Sequence, residues 1–161
     1  MLNKRLLKQT LVATLLAAPA LADPPHAREP LRRFDDWRLD CSAVPCTTHT
    51  AVLGGDGSEV LRLTRLPGDP PLVAVSTPLA LYLPDGLTLA IGGEAPAALA
   101  WRTCGPAGCE ARLALTPELA AALRREWQAS VTFTPADGVP VRVGVSLVGY
   151  IAALRARDAS P

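Results

Sequence analysis

Histidine is scarce in this 161-residue chain, and both of its lysines lie within the first eight residues. Beyond that start the side-chain cations are arginines and two histidines, His26 and His49. Schiff-base catalysis, a phosphate-loop lysine and a lysine general base are therefore excluded from the rest of the chain. The GxSxG elbow, the HExxH helix and the glycine-rich phosphate loop are also missing. Asp35-Asp36 and Asp56-Gly57-Ser58 are too sparse for a calcium loop and read as turn and strand-edge acids. Aromatic residues make up only 4% of the chain, so the core is expected to be aliphatic. These absences argue against an enzyme, and neither a cofactor nor a metal is expected.

The chain opens with a secretory signal pattern. Lys4, Arg5 and Lys8 precede an apolar stretch, Leu11 to Leu21, and Ala20-Leu21-Ala22 supplies small residues for cleavage after Ala22. The stretch is shorter than the roughly 20 residues that a permanent membrane helix needs. Loss of residues 1–22 leaves 13 basic residues against 15 acidic ones, a net charge of −2. That balance gives no electrostatic case for nucleic acid or for an anionic membrane surface. Residues 23–33, with three prolines and little apolar character, read as a disordered leader. A single domain is expected over 34–157.

The domain reads as mostly β, an antiparallel sandwich or barrel-like fold with two short helices. Apolar residues alternate with charged ones in Trp37-Arg38-Leu39-Asp40, Leu61-Arg62-Leu63, Ala111-Arg112-Leu113 and Val141-Arg142-Val143. This period of two sets one face on a core and the other, with its arginines, in water. Asp56-Gly57, Pro67-Gly68, Asp85-Gly86, Gly92-Gly93 and Asp137-Gly138 mark turns. Leu72 to Ile91 is strongly apolar, but Pro78, Pro84 and Asp85-Gly86 favour a buried hairpin over a membrane span. Thr116-Pro117-Glu118 opens one helix, with Leu119, Ala122, Leu123 and Trp127 on one face. A second helix is expected after Ser146, with Leu147, Tyr150, Ile151 and Leu154 on one face.

Four cysteines stand in two brackets, Cys41 to Cys46 and Cys104 to Cys109. An even set in an exported chain reads as two disulfides. Three pairings are open, and the turn residues Gly105, Pro106 and Gly108 favour closure within each bracket. A four-thiolate zinc site is the competing reading, disfavoured by an oxidising compartment. His49 sits three residues beyond Cys46, but a disulfide sulfur cannot serve as its nucleophile. A satisfied or exposed strand histidine is expected.

Together, Trp37-Arg-Leu-Asp-Cys41, the segment Pro78 to Leu89, Cys104-Gly-Pro-Ala-Gly-Cys109 and Ser146 to Leu154 resemble the invasion-associated locus B family of bacterial exported proteins. Ala80 stands where that family is expected to carry glycine, and Tyr150 where phenylalanine is usual. The resemblance implies a periplasmic or envelope protein, associated in some pathogens with entry into host cells. The family supplies no catalytic residues to transfer. The expectation is an exported, non-enzymatic protein, periplasmic or secreted, that binds a protein or envelope component. A surface adhesion or invasion factor is the alternative, and a small periplasmic hydrolase the third reading.

Overall fold

The alternating segments form one antiparallel sheet of ten strands in the computed structural model, which describes residues 31–160. The strands are β1 (Leu31–Phe34), β2 (Trp37–Asp40), β3 (Thr47–Leu53), β4 (Glu59–Leu66), β5 (Leu72–Thr77), β6 (Leu87–Ile91), β7 (Ala97–Gly105), β8 (Gly108–Ala114), β9 (Gln128–Phe133) and β10 (Val141–Ser146). The two helices are α1 (Pro117–Arg125) and α2 (Tyr150–Asp158). In space the strands run β1-β2-β3-β4-β5-β8-β7-β6-β9-β10. Strand β7 is the bend: Ala97 to Leu99 pair with β6, and Ala100 to Gly105 pair with β8. The sheet therefore curls into a half-barrel that brings β10 back against β3.

Alternation builds the core. Leu61 and Leu63 of β4, Val73 and Val75 of β5, Leu87, Leu89 and Ile91 of β6, and Ala129 and Val131 of β9 are all buried. Each such Val, Leu or Ile contributes about 1.5–3 kcal/mol by leaving water. The helices cover the curl with Leu119, Ala122 and Leu123 from α1 and Tyr150, Ala153 and Leu154 from α2. Trp37 packs on Tyr150 with ring centroids 4.8 Å apart.

Local chemistry sets the element ends. The Thr116 hydroxyl accepts from the Leu119 amide at 3.3 Å, with Pro117 opening α1 and Glu118 at its positive end. Before α2, Gly149 adopts φ +91°, and a Cβ there would lie 1.9 Å from the Phe34 carbonyl oxygen. Only glycine lets the helix start so close to β1.

Several expectations are corrected. Leu72 to Ile91 is not a hairpin: β5 pairs with β4 and β8, whereas β6 pairs with β7 and β9. Two buried apolar strands accept any neighbour, and here Pro78 and the 3-10 turn Leu83–Asp85 carry the chain across the end of the sheet instead of reversing it. Helix α1 stops at Arg125, because Glu126 is extended and β9 begins at Gln128, so Trp127 leaves the helical face. Leu147 is buried but precedes α2, donating its amide to the Trp127 carbonyl. Strand β1 begins at Leu31, inside the expected leader, because β2 offers it a pairing edge. Helix α2 runs one residue past the expected end at 157. The signal, the rest of the leader and His26 lie outside the described residues. No helix among the described residues is long and apolar enough to cross a membrane.

Candidate functional surface

Each cysteine bracket closes on itself, with S–S distances of 2.10 Å for Cys41–Cys46 and 2.09 Å for Cys104–Cys109. Cys104 and Cys109 stand opposite each other across the β7–β8 turn, one step before Gly105 and Gly108. Gly108 has φ +122°, and a Cβ there would meet the Thr77 carbonyl oxygen at 2.2 Å. The glycine in this bracket thus serves the close approach of the turn to β5. The first bracket joins β2 to β3, and Asp40 Oδ1 accepts from the Ser42 amide at 2.8 Å within it. Their bonded sulfurs hold turns and offer no free thiolate.

His49 lies opposite Arg38 on β2 and Thr64 on β4, and is 7% exposed. Burial pushes its imidazole below the ordinary value, the positive charges of Arg62 and Arg38 push the same way, and Asp40 and Glu59 oppose them. Burial and the two arginines thus favour the neutral ring over the charged one. Of the outward arginines, Arg62 forms a two-pronged ion pair with Glu59 and Arg112 pairs with Glu110 at 2.7 Å.

The conspicuous exposed residue is Trp127, with 80% of its surface in water. It borders a cavity of about 460 Å³ together with Glu126, Gln128, Arg142 and Gly144. A second cavity, of about 520 Å³, lies where the half-barrel fails to close, between Arg33, Asp36, Arg38, Leu53, Glu59 and Gly144. Gly144 of β10 borders both.

Backbone phase explains why β10 is open here. Leu147 N–H donates to Trp127 O at 2.8 Å, continuing the β9–β10 register. In an antiparallel ladder the groups turned toward the neighbour alternate along the strand. Val141, Val143 and Val145 thus bond β9, and Arg142, Gly144 and Ser146 turn their backbone groups the other way. Ser146 is engaged there: its carbonyl accepts from Trp37 Nε1 at 3.0 Å, and its hydroxyl donates to Asp36 at 2.6 Å. Arg142 and Gly144 form an open edge.

The second cavity also draws Asp35, Asp36 and Glu59 together. Asp36 is taken by Ser146 and Glu59 by Arg62, and no histidine lines the space. The Ser146–Asp36 bond holds the seam where β10 meets the β1–β2 turn.

These features define a disulfide-stapled antiparallel half-barrel, capped by two helices and open along one edge strand. The family model described as "Invasion associated locus B (IalB) protein" matches residues 37–158, and the chain belongs to that family. It is 29% identical over 147 residues to an invasion protein B homolog of Brucella abortus strain 2308, covering 86% of this chain and 85% of that protein. A homolog from Brucella abortus biovar 1, strain 9-941, matches to the same extent. The crystal structure of invasion associated protein b from Bartonella henselae shares the fold, with a TM-score of 0.71 and 22% identity over 80% of this chain and 96% of that one.

The family resemblance singles out Ala80, which stands at φ +73°, in the left-handed region that glycine enters freely. The exposure of Trp127 and the open edge of β10 were not anticipated from the sequence. A tryptophan two residues past the end of a helix carries no sequence mark of exposure. The edge depends on which strands end the sheet.

Proposed function

We propose that this protein is exported to the periplasm or secreted, and acts without catalysis by binding a protein or envelope component at the β10 edge beside Trp127. The observation that carries this reading is Trp127 itself, 80% exposed next to an open strand edge. A large aromatic at a cavity mouth is a typical anchor for a partner, and strand edges accept extended segments. Paired cysteines support an oxidising compartment. The N-terminal pattern Lys4 to Ala22 supports export. Relatives named as invasion proteins support a role at the cell envelope, with a surface adhesion factor as the alternative location.

The test is crosslinking in envelope extract with wild-type protein and a Trp127→Ser variant. A crosslinked partner lost in the variant supports the reading, and identical capture by both contradicts it. Fractionation separates the locations: protein confined to the soluble periplasm argues against the adhesion factor. The cavity of Asp35, Asp36 and Glu59 keeps a hydrolase as the second reading. Hydrolysis of ester or glycoside substrates that Asp36→Asn abolishes would favour it.

A further inference from the structure

The cavity beside Trp127 runs across the sheet as well as along its edge. Ala90 of β6, Ser130 of β9 and Gly144 of β10 stand side by side in register, and all three line it. Their small side chains form its floor. Its volume of about 460 Å³ lies within the range of small-ligand sites.

Two glycines make room for its polar walls. A Cβ on Gly144 would lie 3.1 Å from the Gln128 amide nitrogen, and one on Gly92 would lie 2.6 Å from Glu126 Cδ. Both side chains therefore rest against glycines and border the cavity. Glu126 is already paired with Arg125 at 3.0 Å. The ion pairs among the described residues take Arg62, Arg112, Arg125 and Arg157, and leave Arg142 without a carboxylate. The unbalanced charge of the cavity is thus one guanidinium. Trp127 stands mostly in water, with its ring free to stack.

The groups on offer select the ligand. Strand β9 is bonded on both sides, to β6 and to β10, so the middle of the floor has no main-chain groups to give. An added peptide strand would run along β10, whereas a ligand lying across the strands meets an indole, an amide, a hydroxyl and a guanidinium. Those groups suit a sugar. The apolar C–H face of a pyranose packs on the negative face of an indole, and its hydroxyls bond the Gln128 amide and the Ser130 hydroxyl. A carboxylate on the sugar would pair with Arg142 through two parallel bonds. We propose that this cavity binds a carboxylate-bearing saccharide, with its ring on Trp127 and its acid on Arg142. This builds on Trp127 as the binding anchor and makes the partner an acidic glycan, of the cell wall or of a host surface.

The test is calorimetric titration of the full protein with two acidic sugars, the N-acetylglucosamine–N-acetylmuramic acid disaccharide of cell walls and the sialyllactose of host surfaces. Diacetylchitobiose and lactose are their neutral counterparts. A saturable heat is expected with an acidic sugar, about tenfold or more tighter than with its neutral counterpart, which lacks the charge-assisted pair. Which acidic sugar saturates identifies the source. Arg142→Gln should lower the acidic sugar to the affinity of the neutral one, and Trp127→Ser should abolish the binding of both. Both side chains are exposed, so both variants should fold with a nearly unchanged Tm. No saturable heat with either acidic sugar, or equal affinity for acidic and neutral sugars, would overturn the site. If a crosslinked partner were still lost in Trp127→Ser, that result would strike out the glycan alone and leave Trp127 as the anchor for a protein.

Discussion

The two ends of strand β10 contrast sharply. At Ser146 the strand is knitted to the β1–β2 turn by Trp37 Nε1, by Asp36 and by the Asp36 amide, which donates to the Val148 carbonyl. At Arg142 and Gly144 the same side of the same strand faces open cavities. One end closes the half-barrel and the other leaves it unfinished. Both fixed groups in the closure, the Trp37 indole and the Ser146 carbonyl, come from core or strand residues. The open end offers small and charged residues instead, with Trp127 alongside. Under the proposed function, the closed end carries stability, and the open stretch of Arg142 and Gly144, with which the Trp127 side chain shares a cavity, carries binding.

The largest effect should come from breaking the closed end. Trp37→Ala removes the ring packed on Tyr150 and the bond to Ser146, and should cost about 3–5 kcal/mol in a denaturant titration. An equal loss from Trp127→Ser would erase the contrast.

Away from both ends, Ala80→Gly tests backbone strain at φ +73°. A non-glycine residue there costs about 1–2 kcal/mol, partly offset by the entropy that glycine adds to the unfolded chain. The variant should be more stable by up to about 1 kcal/mol, read as a raised Tm. A lower Tm would show that the alanine side chain contributes contacts worth more than the strain.

His49, on the strand that pairs with β2, gives a pH test. Its folded value lies below the unfolded one of 6.5, so the unfolded chain takes up the proton first. Its contribution is fully present above pH 6.5 and is lost as pH falls from there through the lower folded value. A His49→Gln variant should show a shallower fall in stability over that acid range. Parallel curves for the two proteins would exclude His49 as the source.

The smallest effect is expected at the open end. Trp127→Ser should change stability by no more than about 0.5 kcal/mol, since an exposed side chain has little packing to lose. Its consequence should appear only in partner capture.

Much of the fold was legible from period and punctuation. The alternation around Arg62, Arg112 and Arg142 marks three strands, and Thr116-Pro117-Glu118 marks the start of α1 to the residue. The cysteine brackets announce two turns. Strand neighbours were not legible, because Val, Leu and Ile on β5 and β6 pack equally well beside several partners. Trp127 fitted the helical period of Leu119 and Leu123, but the extended Glu126 ended that period before reaching it. Arg65 was visible as a charge in core phase with Leu61 and Leu63. Its surroundings were not, because Tyr150 and Arg157, which act on its guanidinium, come from α2, distant in sequence.

The open edge is tested most directly by amide hydrogen exchange along β10. Protection should alternate: Val143 and Val145 slow through their bonds to β9, Arg142 and Gly144 fast at the free edge. Uniform slow exchange at all four amides would mean that the edge is already covered, and would contradict the account.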